Sequence, residues 1–488
     1  MKLSQLLNDV KTLQVTGNAE EVEINKLIIN SQEAELNSIF FAIKGYKTDG
    51  HKFILDAINK GASAIVLDNN DVVPSEIFDK SNVVKIVVEN SRKALSKFAN
   101  VLYGKPSQNL NVYGITGTKG KSTTAFYLKS IIEAGGDGCG LIGTISNYIG
   151  TEEWKSRLTT PEANEINQMF DAMLKKGIKN SVMEVSSHSL YLHRVDDIDF
   201  DSVIFTNIAS DHLDFHKTFE NYFAAKKLLF DNLNSEAKAI YNIDDPNGQK
   251  IVSDVKTKKY SFGVDETADF RIEGIEYDFE GTRFTITHNK QSFQVNTKLI
   301  GLFNAYNSTA ALAAAVTKGI PLEQTLEGIK NTPQVPGRFE LIEYDNKKII
   351  VDYAHNASSL DQVLKSIKHI NQEKRPVHTV FGCGGDRDKT KRPVMGKIAD
   401  ELSTVIYVTS DNPRTENPSS IIDDIVTGIK RSDYRRIEDR EEAIKTAIQN
   451  SEENAIVLIA GKGHETYQEV NGVRSFFSDR ETIKKYLN

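Results

Sequence analysis

The stretch from Val112 to Thr124 reads VYGITGTKGKSTT, which places Gly117, Thr118, Lys119 and Gly120 directly before Lys121, Ser122 and Thr123. Glycines let backbone N–H groups close on phosphate oxygens. A lysine supplies a point charge to the outer phosphates, and the adjacent hydroxyl can join a Mg2+ shell. Ile115 stands where the usual G-x-x-x-x-G-K-[ST] pattern has its first glycine, with Gly114 and Gly117 on either side. Two further segments could do chemistry beside a triphosphate. Glu184 lies in MEVSSH and His212 in TNIASDHLD, and if each closes a sheet strand they form an O/N pair. Such a pair suits Mg2+ or Mn2+ when phosphates complete the shell. A strand-end carboxylate serves equally as a helix N-cap. Lys226, in YFAAKK, falls on a helix, where a lysine is ordinarily a solvated face. The run Thr159-Thr160-Pro161-Glu162 would serve equally as a plain helix start, with Thr160 as cap and Pro161 in the first turn.

Strands and helices must hold these residues. A short apolar run precedes the loop, and Phe126, Leu128, Ile131 and Ile132 follow it at helical spacing until Gly135-Gly136, so the order is strand, phosphate loop, helix. Strand candidates at Ser181–Val185, Ser202–Thr206 and Ala237–Asn242 alternate with helical stretches, which predicts a doubly wound parallel sheet. Alternating β-formers from Lys258 to Ile300 predict a patch of antiparallel sheet. Upstream, Ser38–Ile43, Ala62–Leu67 and Val83–Val88 with helices at His51–Lys60 and Ser91–Tyr103 predict a small α/β domain. Downstream, Lys348–Val351, Thr379–Phe381, Val405–Val408 and Ala455–Ile459 predict a third, Rossmann-like α/β unit. The expected fold class is therefore α/β in three domains: 1–107, 108–336 and 337–488, with linkers at Tyr103–Ser107 and Val335–Arg338.

A chain of 488 residues exceeds one hydrophobic core. Its 26% charged and 39% hydrophobic residues exclude a disordered polymer. A net charge of −7 argues against nucleic acid as a partner. The two cysteines, Cys139 and Cys383, lack any C-x-x-C context, so they predict buried thiols rather than a disulfide framework or thiolate zinc site. The N-terminal MKLSQLLNDVKTLQ has no apolar signal region, and no apolar run reaches membrane-spanning length. The expectation is a cytoplasmic protein, taken as a monomer, that does not insert in membranes.

The motifs come in a telling order. The phosphate loop, Thr159-Thr-Pro-Glu162, Glu184-Val-Ser-Ser-His188, Thr206-Asn-Ile-x-x-Asp-His212-Leu-Asp214 and Tyr222-x-Ala-Ala-Lys226 are followed by Gly301-x-x-Asn304-x-x-Asn307. Gly337-Arg338-Phe339, Asp352-Tyr-Ala-His355, the block Gly382–Pro393, Asp411-Asn-Pro-Arg414 and Gly461-Lys-Gly-His-Glu465 complete the series. Together they resemble the Mur ligase family of ATP-dependent amide-bond-forming enzymes, over essentially the whole chain. Within the family the chain looks most like members that add the third peptide residue to UDP-N-acetylmuramoyl-L-alanyl-D-glutamate.

The resemblance implies ATP and Mg2+ as cofactors. It places Gly117 to Thr123, Asn304, Asn307, Arg338 and Asp352 on ATP. Ser122 and Glu184 would hold a first Mg2+; His212 and Lys226, the latter as an N-carboxylated lysine, would serve a second. An ammonium cannot ligate Mg2+, whereas a carbamate is an anionic oxygen ligand. Ser31, Thr159, Thr160, Ser186 and Arg194 would hold the nucleotide-peptide substrate. Arg387, Asp411, Asn412, Arg414, Gly461 and Glu465 would hold the incoming amino acid, and closure at a hinge near Pro336 would assemble the site. Intact D-N-P-R accompanies meso-diaminopimelate in this family. The same four residues could form a plain turn, with Asp411 capping the following helix. Lys119, where the family usually has Asn, resembles some lysine-adding members, and Asn30-Ser31-Gln32 replaces the usual D-S-R. The fourth motif continues Asn356-Ala357 rather than Thr-Pro. An L-lysine-adding ligase, a folylpolyglutamate-synthetase-like ligase and a non-catalytic nucleotide binder on the same scaffold are the alternatives.

Overall fold

The computed structural model describes residues 1–45 and 48–487. The chain divides into two compact units, Met1–Arg271 with Ala310–Gly328, and Ile272–Thr309 with Ile329–Asn488. Among the described residues the first unit holds two sheets. The smaller runs β1 (Gln14–Thr16), β2 (Lys26–Ile28), β3 (Ser38–Phe41), β4 (Ala64–Leu67) and β5 (Val84–Val87) in spatial order β1-β5-β4-β3-β2. It is parallel except for β1. Residues in β3, β4 and β5 are buried throughout, so both faces are covered: helix Ser91–Leu102 packs on one, and Ile54, Ala57 and Phe78 on the other.

The larger sheet contains β6 (Asn111–Thr116), β7 (Cys139–Ile142), β8 (Asn147–Ile149), β9 (Glu152–Trp154), β10 (Asn180–Glu184), β11 (Ser202–Phe205), β12 (Lys238–Asn242) and β13 (Lys258–Gly263). Their order is β13-β12-β11-β6-β10-β7-β8-β9. From β13 through β7 every pairing is parallel, as the strand–helix alternation predicts. The antiparallel β8 and β9 were not expected, and their three-residue lengths leave little periodicity to read. β14 (Phe270–Asp278) starts parallel to β13 and carries the chain out of this unit.

In the second unit β15 (Gly281–His288) and β16 (Gln291–Thr297) form an antiparallel hairpin, so the predicted antiparallel patch holds for β15 and β16, while β13 and the start of β14 belong to the parallel part. The remaining strands are β17 (Glu340–Tyr344), β18 (Lys347–Asp352), β19 (Val377–Phe381), β20 (Val405–Val408), β21 (Arg435–Arg436) and β22 (Ile456–Ala460), in the order β17-β18-β22-β19-β20-β21. The chain adds a small hairpin, β23 (Tyr467–Val470) with β24 (Val473–Phe476). β18, β22, β19 and β20 are mutually parallel, so their carboxyl ends share one edge of the sheet. Cys139 and Cys383 are buried free thiols, and burial pushes the Cys383 thiol up to about 12.

Candidate active site

The phosphate loop leaves β6 at Thr116 and enters helix Lys121–Ala134. β6 lies between β10 and β11, in register Ile115 to Glu184 and Thr116 to Phe205. Residues ending those two strands therefore flank the loop, where open α/β sheets place their ligands. Gly117 (φ +152°) and Gly120 (φ +88°) have backbone conformations that disfavour side chains. A Cβ on Gly117 would lie 1.9 Å from Thr206 Oγ1. Just beyond β11, Thr206 and Asn207 brace the loop. Thr206 Oγ1 donates to the Lys119 carbonyl at 2.6 Å, Asn207 Oδ1 accepts from Lys119 N at 3.0 Å, and Thr118 N donates to the Asn207 carbonyl at 2.8 Å. Lys119 thus serves the loop through its backbone N–H and carbonyl. Lys121 Nζ folds back onto the carbonyls of Gly117 (3.0 Å) and Thr118 (3.2 Å).

Two of the plain structural alternatives fail here. Lys226 is not on a solvated face: it is 1% exposed on helix Phe219–Asp231, and its Nζ donates to the Gly117 carbonyl at 2.9 Å. Burial first, and the Lys121 charge second, hold its ammonium well below the usual lysine range. Thr160 is not a helix cap. The helix is Ala163–Lys175, capped by Glu162 in a box with Glu165. Thr160 Oγ1 instead donates to the Glu184 carbonyl (2.8 Å) and accepts from Ser186 N (3.0 Å).

Glu184 does not cap a helix either. It is 1% exposed, and its carboxylate accepts from Thr144 N at 2.9 Å and Thr144 Oγ1 at 3.0 Å. The same Thr144 hydroxyl lies 3.0 Å from Thr159 Oγ1. With its one proton committed to the carboxylate, it accepts from Thr159. Arg194 donates to the Thr160 carbonyl at 2.9 Å and pairs with Glu162 at 2.8 Å. The structure thus brings Thr159, Thr160, Glu184, Ser186 and Arg194 together. Ser31 is buried on the 3-10 turn Ser31–Glu33 of the smaller sheet, after the Asn30 cap; Gln32 is engaged by Asp56 and Lys60.

His212 has a left-handed backbone (φ +54°) just before helix Leu213–His216, and its ring lies 4.9 Å from that of His188. His188 also contacts His216, which bonds Ser187 Oγ at 2.9 Å, and Tyr222 bonds Thr118. Burial is the main cause that lowers His212 and takes His188 and His216 down to about 4, so these imidazoles are neutral near pH 7. Among the described residues, no group of three or more His, Cys, Asp or Glu could hold a metal ion by itself. The oxygen donors Ser122 and Glu184 are of the kind a hard cation takes when phosphate oxygens and water complete its shell, and His212 with Lys226 form the second candidate pair.

In the second unit, Asn304 and Asn307 sit one turn apart at the start of helix Leu302–Thr317, where Asn307 Nδ2 donates to Asn304 Oδ1 at 3.2 Å. The Arg338 guanidinium covers the Tyr353 ring at 4.8 Å, and Asp352 Oδ2 accepts from Phe339 N at 2.7 Å. The shared carboxyl edge gathers four predicted segments: Asp352 ending β18, Gly461–Glu465 after β22, Gly382–Arg387 after β19 and Asp411–Arg414 after β20. Asp411 caps no helix; the next one, Pro418–Val426, is capped by Asn417. Arg414 has φ +52° and donates from Nη1 to the Gly385 carbonyl at 2.7 Å. Arg387 is exposed beside Asp386, which bonds Thr415 at 2.7 Å. Gly461 (φ +121°) could not carry a Cβ without meeting Asp411 Oδ2 at 2.6 Å. Fully buried Arg440 ties the edge by donating to the carbonyls of Ser410 and Ala460 while pairing with Asp479. Thr144, Thr206, Tyr222 and Lys462 were not singled out from sequence. Of these, Thr206, Tyr222 and Lys462 stand within motifs that were.

A parallel α/β sheet whose first loop is built for phosphate, flanked by a held carboxylate and a buried lysine, defines a nucleotide-dependent enzyme. Residues 23–103, 115–315 and 337–463 match, respectively, the Mur ligase family catalytic domain, the Mur ligase middle domain and the Mur ligase glutamate ligase domain. Proteins of Clostridium tetani (42% identity over 497 residues) and Clostridium acetobutylicum (41% over 490) align with 100% of this chain and 99% of their own. Each is named a UDP-N-acetylmuramoyl-L-alanyl-D-glutamate--2,6-diaminopimelate ligase, the C. acetobutylicum protein being numbered 1. A solved structure of a ligase so named superposes with TM-score 0.70 at 30% identity, covering 100% of this chain and 98% of its own. A folylpolyglutamate synthase of Thermotoga maritima shares the fold at TM-score 0.60 and 19% identity, over 76% of this chain and 90% of its own. The chain belongs to the Mur ligase family and is an ATP-dependent ligase of three-domain α/β architecture. No described helix is long and apolar enough to cross a membrane.

Proposed function

We propose that this ligase adds meso-2,6-diaminopimelate to UDP-N-acetylmuramoyl-L-alanyl-D-glutamate in peptidoglycan synthesis. The observation that carries the reading is the group of Asn412, Arg414 and Glu465 at one sheet edge, a cation and a carboxylate suited to the two charges of an amino-acid centre. Diaminopimelate has a second carboxylate at its far end, which lysine lacks, and a guanidinium fork is its natural bidentate partner. Relatives of 38–42% identity that carry the diaminopimelate name support the same substrate.

The D-glutamyl side-chain carboxylate attacks the γ-phosphorus of ATP, giving an acyl phosphate and ADP. An amine of diaminopimelate then attacks the acyl carbon, forming the amide and releasing phosphate and a proton. Catalysis is mainly positioning and charge neutralisation. Thr159, Thr160, Ser186 and Arg194 orient the peptide, Ser31 serves its uridine end, and Lys121 and the loop N–H groups hold the phosphates. Asn304, Asn307, Arg338 and Asp352 are the proposed ATP contacts of the second unit. Arg387, Asp411 and Gly461 complete the amino-acid site. Ser122, Glu184, His212 and Lys226 are the proposed Mg2+ ligands; when bound, Mg2+ would neutralise phosphate charge.

Lys226 fits that role as a carbamate. Burial and the Lys121 charge favour its neutral amine, whose nitrogen can bond to the carbon of CO2 with loss of one proton, converting a donor into an anionic oxygen ligand. Domain boundaries near residues 107 and 336, cytoplasmic location and a monomeric state belong to the same proposal.

Phosphate release from ATP and Mg2+ with the nucleotide-dipeptide tests it, comparing meso-diaminopimelate, L-lysine and no amino acid. Release with diaminopimelate alone is expected. Release with lysine keeps the ligase and removes the Arg414 assignment, and silence in all three removes the acceptor.

A further inference from the structure

Behind the proposed amino-acid site lies a lysine that no role above uses. Lys462 is fully buried between Gly461 and Gly463, with its Nζ 3.1 Å from Asn412 Oδ1 and 3.3 Å from Glu465 Oε2. Asn412 Nδ2 in turn donates to Glu465 Oε2 at 2.9 Å, and Glu469 N donates to Asn412 Oδ1 at 3.0 Å. Nζ also lies 5.4 Å from the centre of the Tyr467 ring.

The donors and acceptors in this cluster fix one arrangement. An ammonium and a backbone N–H can only donate, so the amide atom facing both must be the oxygen of Asn412. A carboxylate can only accept, so the amide nitrogen must face Glu465. Oε2 of Glu465 is then occupied by two donors. Oε1 has the Tyr353 hydroxyl at a long 3.4 Å, which leaves its lone pairs for a stronger donor such as a substrate ammonium. Without Lys462, the Asn412 amide would lose one of the three partners that set its orientation, and the half-buried Glu465 carboxylate would lose its counter-charge.

We propose that Lys462 is a positioning residue that locks Asn412 and Glu465 in the polarity needed to receive the ammonium of the incoming amino acid. The inference rests on the proposed amino-acid site. It touches neither the phosphate loop nor the nucleotide-peptide residues, so its effect is confined to one substrate.

Lys462→Met keeps length and apolar stem but removes the charge and the donors. Its Michaelis constant for meso-diaminopimelate is expected to rise about tenfold or more, the size of a lost charge-assisted hydrogen bond. The constants for ATP and the nucleotide-dipeptide should stay within about twofold. A merely structural lysine would lower kcat and thermal stability and leave all three constants together. An unchanged constant for diaminopimelate would therefore overturn the assignment.

Should the single variant not fold, Lys462→Met combined with Glu465→Gln removes both charges of the pair and is compared with Glu465→Gln alone. If Lys462 acts through Glu465, the second substitution adds less than about threefold to the diaminopimelate constant; a further tenfold rise overturns it. Wild-type enzyme that ignores diaminopimelate would instead refute the proposed substrate, which separates the two failures.

Discussion

Lys226 Nζ donates to the Gly117 carbonyl at 2.9 Å across 109 residues of sequence, from a position almost without solvent contact. Lys121 Nζ reaches the same carbonyl at 3.0 Å. Burial raises the cost of charging the inner amine, and the Lys121 ammonium on the same carbonyl adds to it. Both effects favour the neutral amine, the form that reacts with CO2. Lys226→Ala should therefore lower phosphate release about a hundredfold, the scale of a lost electrostatic contact to the reacting phosphates. Formate or acetate should restore part of it by supplying a free carboxylate. A Lys226→Ala enzyme that retains full activity, or that no short carboxylate rescues, would remove the carbamate.

Thr144 connects the peptide side to the metal side, through Thr159 on one hand and Glu184 on the other. Thr144→Val keeps the shape and the backbone N–H but deletes the hydroxyl. The Mg2+ concentration for half-maximal rate should rise about tenfold, since outer partners of metal ligands carry effects of that size. Thr144→Ser should behave as the natural enzyme. Equal loss in both variants would point to packing of the methyl group instead.

Much of the candidate site was legible because phosphate and carboxylate chemistry demand particular residues at short spacing. Gly117 to Ser122 and Asp411 to Arg414 could be read without coordinates. The residue-by-residue alternatives for Lys226 and Thr160, a solvated lysine face and a Thr-Pro cap, fail, whereas the motif order assigns both to the candidate site. What overrode both was tertiary. Lys226 turns inward to a carbonyl on another element, and Thr160 bonds the end of β10 rather than its own helix. Thr144 gave no local signal, because it matters through a partner 40 residues away. Lys462 stood inside the motif Gly461–Glu465, and what the sequence did not show was its link to Asn412, 50 residues away. The short strands β8, β9 and β21 were missed for a different reason: two or three residues cannot display a period.

Glu416 sits just past Arg414 and grips the fully buried Arg392 through two bonds, at 2.9 and 3.0 Å. Those bonds are the main cause holding its carboxyl at about 2, against an ordinary 4.5. A folded-state pKa below the unfolded one contributes stability that is present above the unfolded value and is lost as pH falls through the folded one. The contribution should be whole above pH 4.5 and fade between 4.5 and 2. Glu416→Gln should cost about 2 kcal/mol at pH 7 by weakening the hold on a buried guanidinium. The gap between variant and natural protein should close as pH falls through that window, as read by urea midpoints. A gap that stays constant with pH would mean that the charge of Glu416 is not what stabilises this loop.

Arg414 combines a left-handed backbone, φ +52°, with a side chain directed at the Gly385 carbonyl. Most side chains disfavour that conformation by roughly 1 kcal/mol, and glycine does not. The pair Arg414→Ala and Arg414→Gly therefore separates backbone from guanidinium. If the fork binds the far carboxylate of diaminopimelate, both variants should lose at least about tenfold in kcat/KM for that substrate, since a bidentate charge-assisted contact disappears. The Michaelis constant for ATP should stay near the natural value in both, and discrimination against L-lysine should shrink, because lysine has no carboxylate for the fork to hold. Recovery of diaminopimelate use in Arg414→Gly alone would trace the loss to backbone strain and leave the guanidinium without a role in binding.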